Sequence, residues 1–225
     1  MDTSADNDPM MASYILRTAA LLVAFAVAGT GILAATESVT HETIAENERK
    51  AVVRTIDALV PVTSRDNDVF ADRITIVAPE SLGTDKPQTV YRARRMGEPV
   101  AVVMESVAPD GYSGAIRLLL AITADGTLAG VRVVSHRETP GLGDYIEEEK
   151  SNWILSFLGL SLSNPTRSGW RVKKDGGVFD QVSGATITPR AVVKAVHKTL
   201  QYFSQHKEQI FEQPANTALA TKAAP

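Results

Sequence analysis

The sequence predicts an α+β protein, with a single N-terminal transmembrane helix followed by one domain that has a mainly antiparallel sheet and flanking helices. Three observations support this class: a long uncharged apolar segment near the N-terminus, short Val- and Ile-rich runs joined by tight turns in the middle, and apolar residues at helical spacing near the C-terminus. Tight connections favour antiparallel strands, because parallel strands need long crossovers. The length of 225 residues fits about one domain plus additional segments.

Residues 18–36 are predicted to cross a membrane, because 19 consecutive residues carry no charge. A helix of this length spans ~28 Å, close to the hydrocarbon core of a bilayer. A cleaved signal peptide is the alternative, but its apolar region is usually shorter and its N-terminal flank is basic. Residues 1–17 instead contain three aspartates and one arginine. We therefore predict an uncleaved anchor, although the flanking charges do not fix its orientation.

The next part of the chain is predicted to form a helix and then strands. Residues 41–60 place apolar residues on one helical face, and Pro61 ends the pattern. Val- and Ile-rich runs predict five strands, at residues 69–77, 89–94, 100–107, 115–123 and 128–135. The Ala-Asp-Gly turn at residues 124–126 predicts a hairpin between the last two strands.

Beyond these strands, one more helix and a second hairpin are expected. Asp144 is a candidate N-cap for a helix that runs to Leu158. Residues 170–174 and 178–182 flank an Asp-Gly-Gly turn, which predicts the hairpin.

The last helix is predicted to start with Thr188 as its N-cap and Pro189 at its first position. The domain would then cover residues 41–212. The small polar tail at residues 213–225 is expected to be disordered.

Composition excludes several classes of function. Hydrophobic residues make up 44% and charged residues 22% of the chain, as in folded globular proteins. The net charge of −3 provides no basic excess for phosphates, so nucleic-acid binding is not expected. The absence of cysteine excludes disulfides, cysteine nucleophiles and thiolate-bound metal centres. His136 has no second histidine at ligand spacing, so no metal site is predicted.

Two glycine-containing segments are candidate ligand sites. Residues 136–144, HRETPGLGD, link a strand to a predicted helix, and glycines there allow close approach of a ligand to the backbone. Residues 180–186, DQVSGAT, precede the last helix, where free N–H groups and the positive end of the helix dipole favour a phosphate. Each segment by itself also fits an ordinary structural loop.

Together, the segments resemble a known family. The D-x-x-S-G-A-T sequence at residues 180–186 is similar to the flavinylation signature of FMN-binding subunits in two bacterial membrane complexes, the Rnf (or Rsx) electron transport complex and the sodium-pumping NADH:quinone reductase. Residues 136–143 resemble the H-x-E-T-P-G-L-G segment of the same subunits, and residues 111–114, followed by a strand, also fit. The compact length favours the G subunit of the Rnf complex over the longer C subunit of the reductase.

The resemblance implies specific site residues. Thr186 matches the threonine whose hydroxyl is esterified to the phosphate of FMN by a separate flavin transferase. The transferase would recognise four neighbouring residues, namely Asp180, Ser183, Gly184 and Ala185. A second group would lie against the flavin ring: Thr139, Gly141, Leu142 and Gly143.

The resemblance also implies a location and partners. The chain would be a single-pass protein of the bacterial inner membrane, with a cytoplasmic N-terminus and a periplasmic domain. Its flavin would pass electrons between redox centres in other membrane subunits of an ion-translocating complex, whose usual couple is ferredoxin and NAD. The chain alone is not expected to oxidise NADH.

Two other functions are alternatives. The sequence GYSGA at residues 111–115 approximates the G-x-S-x-G motif of a serine hydrolase, with Ser113 as nucleophile, His136 as base and Asp144 or Asp180 as the third member. However, a strand rather than a helix is predicted after the serine, and the order of the residues does not match that fold. The second alternative is a membrane-anchored adaptor that has lost its flavin. The intact D-x-x-S-G-A-T sequence at residues 180–186 argues against this alternative.

Other charged residues receive structural interpretations. Glu138 is expected to be a surface carboxylate rather than a general base. The arginines of one predicted strand are expected to form a solvated face: Arg92, Arg94 and Arg95. We find no acid–base pair near Thr186 that would indicate turnover of a substrate.

Overall fold

The computed structural model describes residues 9–220, except for the side chains of residues 9–12, 42–45, 48 and 220. The outer ends of the predicted segments 1–17 and 213–225 therefore lie outside the described residues. Backbone contacts divide the chain into two units, the first ending at Ala51 and the second beginning at Val52. The predicted domain start at residue 41 lies before this division.

The first helix, α1, is continuous over Pro9–Leu59. Its segment Ser13–His41 is long and apolar enough to cross a membrane, and its most apolar part is not buried within the protein. An N-terminal apolar helix is therefore confirmed. The helices predicted at residues 18–36 and 41–60 are parts of this one element, because no proline or glycine pair interrupts the chain between them.

The second unit contains a six-stranded sheet of order β5-β4-β3-β2-β1-β6. The strands are β1 (Arg73–Val77), β2 (Gln88–Arg95), β3 (Glu98–Ala108), β4 (Ile116–Thr123), β5 (Leu128–Ser135) and β6 (Ala218–Ala220). β1 to β5 pair antiparallel with their neighbours in sequence, and β6 pairs parallel with β1. The predicted α+β class with a mainly antiparallel sheet is confirmed.

Hydrophobic clusters cover both faces of the sheet. Within β3, Val102 and Met104 belong to the larger cluster, whereas Ala101 and Val103 belong to the smaller one. This alternation follows from the two-residue period of a strand. Because both faces are buried, the strands read as nearly continuous apolar runs rather than as alternating polar and apolar residues.

Two further α-helices flank the sheet. The short α2 (Pro79–Leu82) is not predicted by the sequence, and α3 (Ile187–Glu212) contributes much of the larger cluster. The N-cap of α3 is Thr186 rather than the predicted Thr188, which places Pro189 at the third helical position. Thr188 does not cap the helix because its hydroxyl binds a buried carboxylate, described below.

The helix predicted from Asp144 to Leu158 is wrong. Two short 3₁₀ helices, Asp144–Ile146 and Asn152–Phe157, replace it, and the Ser151 hydroxyl caps the second by accepting the Trp153 N–H at 3.0 Å. The hairpin predicted next is also wrong, since Val172 and Phe179 form only an isolated parallel bridge. Further 3₁₀ turns occur at Val62–Ser64, Arg167–Gly169 and Lys173–Asp175.

Aromatic packing explains these differences. Phe157 stacks on Phe179 with ring centroids 4.6 Å apart, and Trp170 lies 5.5 Å from Phe179. Trp153 packs edge-on against Phe157 at 5.4 Å. The packing of these rings outweighs local helix and hairpin propensity, because tertiary contacts supply most of the stability of short elements.

The C-terminal segment is ordered further than expected. In β6, Ala218 and Leu219 pair with Thr75 and Ile76 of β1, and Leu219 packs against the larger cluster. The structure therefore differs from the predicted disorder of residues 213–225 as far as residue 220. Residues 221–225 lie outside the described part of the chain.

Arg92 is buried, contrary to the predicted solvated face. Its guanidinium is paired with the Asp72 carboxylate and donates to the carbonyl oxygen of Ile210 at 3.0 Å, at the C-terminal end of α3. Arg94 pairs with the same aspartate at 2.7 Å, and of the three arginines only Arg95 is fully exposed. The two inner arginines thus satisfy the last carbonyls of α3 and complement its dipole.

We predict that Arg92→Ala lowers the free energy of unfolding by about 3 kcal/mol, because it removes one partner of a buried ion pair. Arg95→Ala is the matched control on the same strand and should change it by less than about 0.5 kcal/mol. Chemical denaturation of the full chain in detergent, followed by tryptophan fluorescence, measures both. Equal, small losses would contradict the capping role of Arg92.

Candidate functional site

Three loops singled out from the sequence meet at one end of strands β3, β4 and β5. One joins β3 to β4, one follows β5, and one precedes α3, and together they surround a cavity of about 90 Å³. The cavity is lined by Tyr112, Glu138, Thr139, Leu142, Gly143, Gly184, Ala185, Ile187 and Thr188. Antiparallel pairing places the end of β3, the start of β4 and the end of β5 side by side, which brings the first two loops together.

Glu138 connects all three loops and is buried, not a surface carboxylate as expected. Its Oε1 accepts the backbone N–H of Ser113 at 3.0 Å, and its Oε2 accepts the hydroxyl of Thr188 at 2.5 Å. Hydrogen bonds to an ionised acceptor are stronger than neutral ones. The single carboxylate therefore fixes the β3–β4 loop and the first turn of α3 against the loop that follows β5.

Glycines at two positions make room for this carboxylate. A Cβ atom at Gly111 would lie 2.9 Å from Glu138 Oε1, and one at Gly143 would lie 2.9 Å from Glu138 Oε2. A side chain at Gly143 would therefore displace Glu138, whereas one at Gly111 would first collide with the backbone oxygen of Gly114, at 2.2 Å. Gly143 lines the cavity, and its lack of a side chain also accommodates the carboxylate.

The other two glycines are open to solvent. Gly141 has φ = +76° and Gly184 has φ = +88°, a left-handed conformation that favours glycine. A Cβ atom at Gly141 would meet nothing within 4 Å, and one at Gly184 would meet only Leu142 Cδ1, at 3.9 Å. Their backbones are therefore accessible from solvent, although Gly141 does not line the cavity itself.

Both ring nitrogens of His136 are engaged in hydrogen bonds. Nδ1 accepts the backbone N–H of Glu138 at 3.0 Å, so in the neutral ring Nε2–H donates to Glu147 at 2.6 Å. Ser113 is exposed and precedes a strand of an antiparallel sheet rather than a helix. The geometry of a serine hydrolase is therefore absent from this part of the structure.

Thr186 lies at the N-terminus of α3, next to the cavity-lining Ala185 and Ile187. It is half-buried, and its side chain makes no capping hydrogen bond. Ser183 and Gly184 form an exposed turn immediately before it. The threonine hydroxyl is thus not required by the helix cap.

Asp180 is positioned at the start of the same segment. Its carboxylate is exposed and pairs with Lys173 at 2.5 Å, and its carbonyl oxygen accepts the indole N–H of Trp153 at 2.7 Å. Asp180 does not line the cavity. Its accessible position is suited to recognition by another protein rather than to contact with a ligand in the cavity.

Tyr145 lies behind the site, close to the segment that precedes α3, and does not line the cavity. Its buried hydroxyl lies beside the backbone of Val182 without the geometry of a hydrogen bond, and its ring packs edge-on against Trp153 at 5.6 Å. Burial, reinforced by the charge of Glu138, raises the pKa of Tyr145 to about 12. The hydroxyl is therefore a protonated donor at neutral pH. Only its proximity in sequence to the HRETPGLGD segment hinted at its location.

The rim of the cavity combines apolar surface with a positive helix end. Tyr112, Leu142 and Ile187 are exposed by 66%, 40% and 47%. The first turn of α3 contains no acidic residue, and its N–H groups have no partners within the helix. Such a surface suits a ligand with a flat apolar ring and a phosphate. Within the described residues, no group of three or more His, Asp or Glu side chains is arranged to hold a metal ion.

We predict that Glu138→Ala destabilises the domain by about 2–3 kcal/mol, because it leaves buried donors without an acceptor. Glu138→Gln should cost less than half as much. Its carbonyl can still accept the Ser113 N–H, while its amide donates to the Thr188 hydroxyl. Denaturant titration of both variants tests this order, and equal losses would show that the hydrogen bonds do not account for the role of Glu138.

Comparison with known proteins agrees with this geometry. The FMN-binding domain family matches residues 111–201, which contain all three loops, and the RnfG N-terminal region matches residues 10–59. The predicted resemblance to the Rnf family is thereby confirmed.

Curated relatives match over nearly their full length. The G subunit of the ion-translocating oxidoreductase complex of Pseudomonas aeruginosa strain UCBPP-PA14 is 51% identical over 196 residues, covering 87% of this chain and 92% of the relative. The corresponding G subunits of Vibrio cholerae serotype O1 and Shewanella baltica are 44% and 43% identical, covering 91% and 92% of this chain and 97% of each relative. The chain therefore belongs to the family of G subunits of ion-translocating oxidoreductase complexes.

Proposed function

We propose that this chain is the electron-carrying flavoprotein subunit of an Rnf-type ion-translocating complex, with FMN attached through a phosphoester to Thr186. The main support for the proposal is the position of Thr186 at the N-terminus of α3, beside the cavity. The Thr186 hydroxyl makes no capping hydrogen bond with the helix. Membership of the G-subunit family and the match to an FMN-binding domain support the choice of cofactor.

The residues present fit FMN in three respects. The backbones of Gly141 and Gly184 are open, the rim offers exposed apolar side chains for a ring, and the start of α3 favours a phosphate. A cavity of about 90 Å³ is too small to enclose a flavin, so the ring would lie against the rim.

Thr186 would hold the phosphate through its Oγ atom. As the Oγ–P bond formed, the bond between phosphorus and the leaving oxygen group of the flavin donor would break, and that group would depart with the hydroxyl proton, so the chain would gain the mass of FMN minus one water. The remaining negative charge of the phosphodiester would be stabilised by the start of α3, by ~0.3–1 kcal/mol. When bound, FMN supplies a ring that accepts and releases electrons.

The other site residues would position and shield the ring. Leu142 and Ile187 would exclude water from one side, and Thr139 would contribute a hydroxyl at the cavity wall. Glu138 would act indirectly, by fixing the loops that carry these groups. The flavin transferase that makes the bond would recognise the exposed Asp180 together with Ser183, Gly184 and Ala185.

The apolar segment Ser13–His41 of α1 fits a single-pass membrane anchor. We propose that the N-terminus is cytoplasmic and the domain periplasmic, in the bacterial inner membrane. The flavin would exchange electrons with redox centres in neighbouring membrane subunits, in a complex that couples ferredoxin and NAD. The chain alone would not oxidise NADH.

We predict that Thr186→Val abolishes covalent flavin, because valine has the same shape without the nucleophilic hydroxyl. Thr186→Ser should retain part of it. Thr166→Val, at an exposed threonine elsewhere in the domain, is the matched control and should retain all of it. Each full chain is produced with an active flavin transferase and separated on a denaturing gel, and flavin fluorescence is measured in the protein band. A fluorescent Thr186→Val band would refute the attachment site.

A second prediction concerns the loop after β5. Gly141→Ala and Gly126→Ala both place a side chain at a left-handed, open position, with φ of +76° and +92°, so their backbone strain is matched at about 1–2 kcal/mol. Only Gly141 belongs to the proposed ring contact. Its variant should retain covalent flavin but shift the flavin absorbance or potential, whereas the Gly126 variant should not. Identical spectra and potentials in both would remove the loop from the site.

A further inference from the structure

A second concave surface lies along α3 and shares no lining residue with the loop cavity. Residues 167–175 and α3 enclose a groove of about 350 Å³. Its floor includes Trp170, Val172 and Val193, which are buried. Its walls carry five positively charged side chains: Arg167, Arg171, Arg190, Lys194 and Lys198. Nothing in the proposed electron-carrying function uses these residues.

The charge of the groove is only partly compensated. Arg190 binds both carboxylate oxygens of Asp175, at 2.5 and 2.6 Å, and Lys194 pairs with Asp110 at 2.5 Å. Lys198 donates to a neutral carbonyl oxygen, that of Glu80, at 2.8 Å.

The two arginines on the opposite wall, Arg167 and Arg171, form no ion pair within 4 Å with any carboxylate in the described part of the chain. The groove lining therefore carries five cations and one carboxylate, that of Asp175, in a chain whose net charge is −3. Lys194 and Lys198 also line a neighbouring pocket that contains Glu80, Asp85 and Asp110. A local excess of positive charge in an acidic chain indicates an anionic ligand.

The floor of the groove is a stacked aromatic pair. Trp170 and His197 lie parallel within 10°, with ring centroids 5.2 Å apart. Burial, together with the charge of Arg167, lowers the pKa of His197, so the imidazole is neutral at neutral pH and adds no charge. The floor thus carries no charge, and the positive charge is confined to the two walls.

The spacing of the cations on α3 indicates the form of the ligand. Arg190, Lys194 and Lys198 recur every four residues and form one row, with neighbours about 6 Å apart. Alternate side chains of an extended peptide are separated by about 7 Å. The carboxylates that now pair with this row belong to exposed ion pairs, which solvent and salt screen, so a ligand carboxylate can compete with them.

We propose that this groove binds an extended acidic segment of a partner protein, with alternate carboxylates facing the cations of α3. A membrane surface fits less well, because lipid headgroups in a plane would reach the rims of the groove but not both walls and the floor. Ile187 lines both the loop cavity and a small pocket with Arg190 and Lys194. A docked segment would therefore lie next to Thr186, although its binding does not require flavin.

The test measures fluorescence anisotropy of a labelled peptide of alternating glutamate and serine, titrated with the full flavin-free chain in neutral detergent. Binding should weaken as salt is added. Arg167→Glu/Arg171→Glu should weaken it by about tenfold or more, since charge reversal makes the contacts repulsive. The matched control, Arg73→Glu/Arg95→Glu, reverses two exposed arginines of β1 and β2 and should change affinity by less than about twofold.

Two further measurements separate loss of binding from loss of folding and test the spacing of the carboxylates. Lys198→Glu, on the other wall, should also weaken binding, which guards against a folding defect in the double variant. A peptide of the same composition with its glutamates in one block should bind more weakly. No binding, or equal effects of the groove and control variants, would overturn the proposal. Displacement by short-chain phosphatidylglycerol, without discrimination between the two peptides, would instead assign the groove to lipid headgroups.

Discussion

The buried carboxylate of Glu138 is the interaction on which the candidate site depends. It joins the β3–β4 loop and the first turn of α3 through separate oxygens. A buried carboxylate is tolerated only when its oxygens are satisfied, so the three loops are fixed in one arrangement. Because Thr188 is one of its donors, Glu138 also determines where Thr186, two residues earlier, stands relative to the cavity.

The long helix α3 is held at both ends by buried charges of the appropriate sign. Glu138 lies at its N-terminus, and Arg92 binds the carbonyl oxygens at its C-terminus, so each complements the helix dipole. Between these ends, one face packs on the sheet and another carries the cations of the basic groove. The helix thereby provides a rigid base for Thr186, which suits a cofactor that must keep one position through many electron transfers.

The antiparallel strands could be predicted because runs of Val and Ile between turns are a local signal, and the DQVSGAT segment could be recognised because its residues are contiguous. The burial of Glu138 could not be predicted, since Ser113 and Thr188 lie 25 and 50 residues away in the chain. Arg92 is similar, with a partner carbonyl 118 residues away. The helix predicted over residues 144–158 was wrong because long-range aromatic contacts determine the path of that segment.

The most direct test of the account is the intact mass of the wild-type chain, produced with and without an active flavin transferase and followed by peptide mapping. The expected result is a gain equal to FMN minus one water, located on Thr186 and present only with the transferase. An unchanged mass, while a control substrate is flavinylated in the same cells, would contradict the covalent attachment at the centre of the proposed function. A gain located on another residue would show that the loops around Glu138 serve a different purpose.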